Sequence, residues 1–490
     1  MCIRDRLKER AIMSKISSAK DELKTPDEFE LEAGNDYNLR RIAGVYREYQ
    51  KTLKLNNALD FDDLIFKTVE LFQSDAEVLE HYQDRFRYIM VDEYQDTNTS
   101  QFKLVAMLAA KYGNICVVGD DDQSIYKFRG ANIYNILNFE NVFTGAKVIK
   151  LEQNYRSTQT ILNAANAVIS NNIGRKSKSL WTDNGEGEKV NYTLYENGYD
   201  EAEGVASGIA EYVRDGWNYN DVAILYRTNA QSRALEEKLM IHNIPYKIYG
   251  GQNFYQRKEI KDILAYLKTI DNGLDGQAVK RIINVPKRGI GNTTIDRLQE
   301  YADFNDITFW EALVNAKDID TIKNAALSKL EPFVDLIGRL RAKEEFMSLK
   351  ELAEAVIEDT GYIESLSQNE TVEEVEARRE NLDEFINKVV SYEEGCKEAG
   401  EEPTLSGLLE EVALIADIDN LDESEPHVML MTLHSAKGLE FPIVYMTGME
   451  DGLFPSYMTI VSDDSTEIEE ERRLCYVGIT RAEKILNLTS

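Results

Sequence analysis

Two adjacent carboxylates follow a short apolar run in the first fifth of the chain. The run Tyr88–Val91 predicts a buried strand, and Asp92 and Glu93 come directly after it. Ligands of open α/β sheets bind at the carboxyl ends of the strands. At such a place one carboxylate can hold Mg²⁺ while its neighbour polarises an attacking water. A pair of acids after a strand is also common in solvated turns, so it predicts a hydrolytic site only together with further motifs.

Three further segments carry side chains that such a site needs. Residues 117–131 read Val-Val-Gly-Asp-Asp-Asp-Gln-Ser-Ile-Tyr-Lys-Phe-Arg-Gly-Ala, after the next predicted strand. Residues 151–158 read Leu-Glu-Gln-Asn-Tyr-Arg-Ser-Thr, and residues 476–483 read Tyr-Val-Gly-Ile-Thr-Arg-Ala-Glu. An arginine suits the charge that develops on a phosphate during its transfer.

Together with the string Asp-Glu-Tyr-Gln-Asp at 92–96, these segments resemble the motor core of the superfamily 1 DNA helicases of the UvrD/PcrA/Rep type. The resemblance runs from about Leu59 to Ile485. It implies an α/β fold with two RecA-like P-loop NTPase lobes, the first incomplete, and helical insertions. It also implies an ATP-dependent helicase or translocase of DNA repair and replication that moves 3′ to 5′ and uses ATP and Mg²⁺.

The resemblance assigns roles around the nucleotide. Asp92 is the residue associated with the metal, Glu93 is the general base, and Gln123 senses the terminal phosphate. The remaining residues implied at the nucleotide are Tyr155 on the adenine, Arg156 and Arg481 at the γ-phosphate, and Glu440 at the ribose.

Aromatic rings interleaved with cations follow Gln123 in the sequence. Single strands bind where bases stack on aromatic rings above a basic groove. By the resemblance Tyr126, Phe128 and Arg129 hold the DNA, and Phe128 stands where the family usually has tryptophan. Phenylalanine keeps a stacking face but loses area and the indole donor. Asn229 and His434 are further contacts to single-stranded DNA that the resemblance implies.

Residues 285–294, Val-Pro-Lys-Arg-Gly-Ile-Gly-Asn-Thr-Thr, resemble a helix-hairpin-helix turn. Glycines let the backbone approach a ligand closely, and the N–H groups at a helix start can meet a phosphate. A Gly-x-Gly turn is more often only a turn. The neighbouring cations and the family's duplex contact favour duplex DNA as the ligand of Lys287, Arg288, Gly289 and Gly291.

The sequence contains no Gly-Lys dipeptide and therefore no G-x-x-x-x-G-K-[ST] phosphate loop. We therefore expect a helicase that has lost the N-terminal segment carrying this loop and is cut short soon after Arg481. The loop supplies backbone N–H groups, a lysine and a hydroxyl on Mg²⁺. We therefore expect the chain on its own to hydrolyse ATP feebly or not at all.

Charge and composition set limits on the partners. The 490 residues carry a net charge of −31, which at first sight argues against nucleic acid. Net charge determines solubility and long-range steering rather than the properties of one groove. The charge therefore predicts weak or unusually salt-sensitive DNA binding, or an organism that lives in salt. No run approaches the roughly 18 apolar residues of a membrane span, so no membrane is expected. Four scattered cysteines predict neither disulfides nor zinc, which favours the cytoplasm.

The hydrophobic pattern divides the chain into five segments. These are a helical remnant of an insertion (1–84), a partial first lobe (85–150), the first part of the second lobe (151–260), a helical insertion that contacts duplex DNA (261–424), and the rest of the second lobe (425–490). Predicted helices include Tyr37–Leu53, Asp62–Phe72, Ser100–Ala110 and Thr371–Tyr392. Predicted strands are Tyr88–Val91, Ile115–Val118, Val148–Leu151, Val190–Leu194, Val222–Tyr226, Tyr246–Tyr249, Val428–Thr432 and Ile443–Thr447.

Two alternatives stay open. The first is a DNA-binding or regulatory protein with an inactive motor, which the absent phosphate loop supports and the intact Glu93, Gln123, Arg156 and Arg481 oppose. The second is the helicase part of a helicase–nuclease recombination enzyme. No carboxylate–lysine cluster of a nuclease follows the motor in this sequence.

Overall fold

The computed structural model describes residues 9–367, 370–418 and 426–490. Most of the acidic stretch Asp417–Pro426, predicted to lead back from the helical insertion, lies outside these residues. The chain divides into two units. The first unit comprises Met1–Asn197, Asp221–Arg227 and Met431–Ser490, and the second comprises Gly198–Asn220 and Thr228–Leu430.

Eight short strands lie in the described ranges. In chain order they are β1 (Ile89–Val91), β2 (Ile115–Val117), β3 (Asn191–Thr193), β4 (Val222–Tyr226), β5 (Tyr246–Ile248), β6 (Val428–Thr432), β7 (Phe441–Met446) and β8 (Ala482–Thr489).

Helices make up most of the described chain, and none of those described is long and apolar enough to cross a membrane. They are α1 (Glu9–Asp21), α2 (Pro26–Glu32), α3 (Tyr37–Leu55), α4 (Phe61–Ser74), α5 (Ala76–Arg85), α6 (Thr99–Ala109), α7 (Tyr134–Leu137), α8 (Phe139–Val142), α9 (Gln159–Ile169), α10 (Gly198–Arg214), α11 (Ser232–Ile241), α12 (Lys258–Asp271), α13 (Gly276–Ile282), α14 (Asn292–Asn305), α15 (Phe309–Val314), α16 (Asn324–Glu344), α17 (Leu349–Thr360), α18 (Tyr362–Leu366), α19 (Val372–Ala399), α20 (Leu405–Ile418), α21 (Tyr457–Val461) and α22 (Ser465–Ile479).

The first sheet of the first unit contains the two parallel strands β1 and β2, with Met90 opposite Cys116. Both strands were predicted from their apolar runs. The prediction of a strand at Val148–Leu151 was wrong, because these residues form no ladder of hydrogen bonds with a neighbouring strand in the described ranges. They form one wall of a cleft beside β2, where Leu151 is 77% exposed. An apolar run becomes a strand only when another strand pairs with it.

The second sheet places β3, β8, β7 and β4 of the first unit side by side, all parallel. Strand β4 is buried along its whole length, as the run Val-Ala-Ile-Leu-Tyr predicts for the middle of a parallel sheet. Strand β8 was missed, because Glu483 and Lys484 interrupt its start. The α/β fold class is confirmed.

The second unit is mainly helical, as the loss of strand signals after Lys261 predicts. Its core is built on α12, with Phe254, Leu267, Phe333 and Phe385 among its fully buried residues. Strand β5 pairs in parallel with the start of β6, with Tyr246 opposite Val428.

Candidate active site

The acidic pair lies at the carboxyl end of β1, in a backbone turn that is rare for its residue type. Glu93 has a φ of 50°, in the left-handed region. Its N–H donates to Oδ1 of Asp92 at 2.8 Å. A non-glycine residue in this conformation carries strain, which clusters at functional sites. The turn presents both carboxylates to solvent at the end of the strand.

Gln95 connects Glu93 to the loop that carries Gln123. Its Nε2 donates to Oε2 of Glu93 at 2.6 Å, and its Oε1 accepts from the N–H of Asp120 at 3.0 Å. Gln95 is fully buried. A Cβ at Gly119 would lie 2.4 Å from this Oε1, so the close approach requires glycine. The candidate residues of the sequence did not include Gln95, although it lies inside the string at 92–96 that points to the site.

Gln123 lies in the same cleft as the acidic pair. The cleft has a volume of about 1010 Å³, and its walls include Asp92, Glu93, Asp120 and Gln123. The Nε2 of Gln123 donates to Oδ2 of Asp120 at 2.8 Å. Oδ1 of the same carboxylate accepts from Nζ of Lys178 at 2.6 Å. Asp120 therefore orients the amide predicted to sense the terminal phosphate.

Arg481 is buried. Among the residues that the structure describes, no carboxylate lies within 4 Å of its guanidinium group. Its Nε donates to the carbonyl of Val477 at 2.9 Å and its Nη1 to that of Leu439 at 3.0 Å. Burial and the neighbouring cation of Arg156 lower the pKa of Arg481 to about 10, although the carboxylate of Glu93 opposes this shift. A buried cation held by neutral acceptors is suited to receive an anion.

Arg156 lies next to Arg481. Its Nε donates to Oε2 of Glu440 at 2.6 Å, and its Nη1 donates to the carbonyl of Thr480 at 3.3 Å. Tyr155 is 79% exposed, which leaves a ring face free. The geometry thus places three of the predicted nucleotide contacts, Tyr155, Arg156 and Glu440, close together.

An asparagine that sequence reasoning missed fixes this segment. The Nδ2 of Asn184 lies within hydrogen-bond distance of the carbonyls of Tyr155, Arg156 and Ser157, at 3.1–3.4 Å. The Oγ of Ser157 donates to the carbonyl of Ala482 at 2.6 Å. Asn184 lies 28 residues after Arg156, so no local pattern could have identified it.

Lys437 joins the loop before Glu440 to the acidic loop. Its Nζ lies 2.5 Å from Oδ2 of Asp96 and 3.7 Å from Oε2 of Glu93, and it donates to the carbonyl of Gln123 at 2.7 Å. Burial raises the pKa of Asp96 and the ammonium group of Lys437 opposes this shift. The acidic pair, Gln123 and both arginines therefore lie in one region of the first unit.

The rings predicted to bind DNA form a cluster on the same loop as Gln123. Phe128 is 65% exposed and meets His434 edge-to-face with ring centroids 5.5 Å apart. Tyr126 lies 6.0 Å from Phe128, and the guanidinium of Arg129 lies 5.0 and 5.4 Å from the two ring centroids. Burial, with Arg227 and Arg129 nearby, lowers the pKa of His434 to about 4, so this ring is neutral near pH 7. The cluster thus combines a stacking face with a cation.

The other candidate DNA contacts lie in the second unit. Asn229, Lys287, Gly289 and Gly291 are exposed there, and Gly291 is the N-cap of the 14-residue helix α14. Arg288 is half-buried and forms hydrogen bonds within the unit. Its Nη2 donates to the hydroxyl of Tyr266 at 2.7 Å, and its Nη1 donates to the carbonyl of Ile282 at 2.9 Å. These bonds brace the turn internally and occupy both terminal nitrogens of Arg288, whose contact with DNA stays a prediction.

The donors at the acidic pair fit Mg²⁺. Asp92 places an exposed carboxylate on the wall of the cleft. Mg²⁺ in nucleotide sites is bound through one or two carboxylates together with waters and substrate phosphates. Across the described ranges no group of three or more His, Cys, Asp or Glu side chains could hold a metal, so a cage built only of protein ligands is absent there.

Two family models match nearly the whole chain. The model of the UvrD/REP helicase N-terminal domain matches residues 3–144, and that of the UvrD-like helicase C-terminal domain matches residues 149–490. The chain is also similar to proteins named ATP-dependent DNA helicase PcrA. It is 51% identical to that of Staphylococcus aureus strain Mu50 over 480 residues and 50% identical to that of Staphylococcus epidermidis strain RP62A over 485 residues. The matches cover 98% and 99% of this chain but 65% and 66% of those relatives.

Proposed function

The chain belongs to the family of UvrD-like helicases, and from this premise we propose that it is the motor of an ATP-dependent DNA helicase that moves 3′ to 5′. The observation that carries the proposal is the position of Lys437. Its Nζ touches the loop of Glu93 and the carbonyl of Gln123, and it lies 5.2 Å from the ring centroid of Tyr126. The hydrolytic and DNA-binding candidates therefore share one contact network.

In the proposed reaction, Glu93 accepts a proton from the attacking water. Gln95 orients its carboxylate through the bond at 2.6 Å. Arg156 and Arg481 stabilise the charge that develops on the transferring phosphate, an effect worth roughly 10³–10⁵ in rate where an arginine finger has been measured. When bound at Asp92, Mg²⁺ supplies charge neutralisation between the phosphates.

The proposed coupling between ATP hydrolysis and DNA movement rests on the short distance in sequence between Gln123 and the DNA-binding rings. Gln123 and Phe128 lie five residues apart, and Ile125 between them is fully buried. We propose that a displacement of Gln123 by the terminal phosphate is transmitted to Phe128, which then shifts its stacked base. The Lys437 contacts transmit the same displacement to His434, three residues away on its own loop.

The whole protein's setting is part of the proposal. We propose single-stranded and duplex DNA as partners, DNA repair and replication as the processes, and the cytoplasm as the location. The described cysteines Cys116, Cys396 and Cys475 carry free thiols, which suits a reducing compartment.

The absence of a Gly-Lys dipeptide favours a second candidate, a DNA-binding or regulatory protein with an inactive motor. It also leads us to propose that the chain on its own turns over ATP slowly.

The test measures binding of a fluorescent oligo-dT and phosphate release with and without DNA, for the wild type and Glu93→Gln. We expect binding of the single strand and a slow turnover that DNA stimulates. Glu93→Gln should abolish the stimulated turnover and leave DNA affinity within about twofold. Absence of DNA binding would contradict both candidates. Binding without turnover would favour the second, and normal turnover in Glu93→Gln would remove Glu93 as the base.

A further inference from the structure

The guanidinium groups of Arg156 and Arg481 meet at a single residue, Thr480. The carbonyl of Thr480 accepts from Nη1 of Arg156 at 3.3 Å. Its Oγ1 accepts from Nη2 of Arg481 at 3.1 Å. We infer that Thr480 is a positioning residue that presents both arginines together to the terminal phosphate of the nucleotide, an inference that rests on the proposed function.

Thr480 is itself held rigidly at the end of α22. It is 3% exposed, and its N–H donates to the carbonyl of Tyr476 at 3.0 Å. Its hydroxyl lies 2.8 Å from that same carbonyl and 3.0 Å from the carbonyl of Val477. A hydroxyl has one hydrogen and two acceptor lone pairs. The hydrogen therefore goes to the helix, and an oxygen lone pair remains for Arg481.

The chemistry of the acceptors matters as much as their position. Two neighbouring cations repel each other, and burial adds a desolvation cost. A carboxylate at Thr480 would relieve both effects and would also cancel the charge that a phosphate needs. The hydroxyl is a neutral acceptor, so it fixes the direction of the Arg481 guanidinium and leaves its positive charge available, whereas Arg156 is also paired with Glu440. Thr480 therefore orients Arg481 without neutralising it.

The two contacts of Thr480 can be separated by substitution. Thr480→Val keeps the backbone carbonyl and nearly the same volume but removes the hydroxyl. Thr480→Ser keeps the hydroxyl and removes the methyl group. The valine variant should disturb Arg481 and spare the contact of Arg156, whereas serine should restore the wild-type arrangement.

The experiment compares the affinities of the chain for fluorescently labelled ATP and ADP, in Mg²⁺, by anisotropy titration. The ratio of these affinities isolates the terminal phosphate, because both nucleotides share the base, the sugar and two phosphates. Loss of a hydrogen bond that orients a charged group corresponds to a change of about tenfold. We expect Thr480→Val to weaken ATP about tenfold and ADP less than about twofold, with Thr480→Ser within about twofold of the wild type for both.

Each outcome decides the inference. Equal loss of ATP and ADP in the valine variant would indicate a general structural role and overturn the inference, as would an unchanged ratio. Loss in both the valine and the serine variant would show that any change of side chain at this position disturbs the site, and would overturn the specific role of the hydroxyl. A wild type that does not prefer ATP over ADP would refute the proposed function itself, and the inference with it. If Thr480→Val does not fold, as judged by circular dichroism, Thr480→Ala is measured by the same criteria.

Discussion

Replacing Lys437 by methionine tests the link between the loop of His434 and the acidic loop. Methionine keeps an unbranched side chain of similar length and removes the charge. The side chains of Lys437 and Asp96 are 7% and 19% exposed, so their ion pair is mostly shielded from water. Removing one partner of a buried pair costs about 3–5 kcal/mol, because the other charge stays buried and unpaired.

We take the lower end, about 3 kcal/mol, because Asp96 keeps some contact with water. At about 2 °C per kcal/mol for a unit of this size, the melting temperature of the first unit should fall by roughly 6 °C at pH 7.5. Lys67 provides the matched control. It forms an exposed ion pair with Glu70 at 2.8 Å, and Lys67→Met should cost less than about 1 kcal/mol.

The dependence on pH gives the sharper test. Burial raises the pKa of Asp96 above its ordinary value in the folded protein, and loss of Lys437 removes the interaction that opposes this shift. The folded state then binds a proton more readily than the unfolded state, so protonation stabilises it. The loss of unfolding free energy in Lys437→Met, relative to the wild type, should be largest near pH 7.5 and should shrink as the pH falls towards 5.

Differential scanning calorimetry at pH 5 and pH 7.5 measures both quantities. A loss that is equal at the two pH values would refute the electrostatic explanation and assign the effect to packing. A loss of unfolding free energy below about 1 kcal/mol at pH 7.5 would show that the Lys437–Asp96 ion pair does not stabilise the contact between their two loops.

Three further substitutions test other contacts. Phe128→Ala should weaken binding of oligo-dT by an amount equivalent to about 1–3 kcal/mol, the value of one stacked base, with turnover in the absence of DNA unchanged. Gly119→Ala should destabilise the first unit by at least about 2 kcal/mol, because its Cβ would lie 2.4 Å from Gln95 and 3.1 Å from a backbone nitrogen. Arg288→Ala should lower the melting temperature and leave duplex affinity unchanged at low temperature, whereas Lys287→Ala should weaken duplex binding and leave the melting temperature unchanged.

Each of these has its own contrary result. Unchanged oligo-dT affinity in Phe128→Ala would assign the ring to packing against His434. If urea titration gave Gly119→Ala the stability of the wild type, the Gln95 side chain would be able to move away from the added methyl group. Equal duplex affinities for wild type and Lys287→Ala, measured at two salt concentrations, would remove the turn at 285–294 from the DNA interface.

Patterns in the sequence predict a helix or strand whose local residues favour it. They fail where pairing with a distant strand determines whether a segment becomes a strand. The run Val428–Thr432 is a strand as predicted, whereas Val148–Leu151 has a similar apolar character and stays irregular beside the cleft. Strand β8 carries Glu483 and Lys484 near its start, and only its place beside β7 in the sheet makes it a strand. Propensity and periodicity do not encode such tertiary pairing.

The candidate site shows the same division. The strings around Glu93 and Arg481 are enough to predict the reacting groups, because the residue types that the chemistry needs lie within each string. Gln95, Lys437 and Asn184 act through contacts with residues elsewhere in the chain. The internal partners of Arg288 are likewise invisible in the sequence. Motifs therefore locate the chemistry, and the geometry shows which side chains hold it in place.

The burial of Arg481 has a consequence for how salt acts on this protein. Mobile ions screen exposed charges within about 10 Å at 0.1 M and affect buried ones far less. The cation at Arg481 is buried, whereas Arg129 beside Phe128 faces solvent. Under the proposed function, rising ionic strength should therefore weaken the binding of DNA well before it weakens the binding of the nucleotide. In a protein with a net charge of −31, high salt would then remove the proposed DNA partner and leave the proposed nucleotide in place.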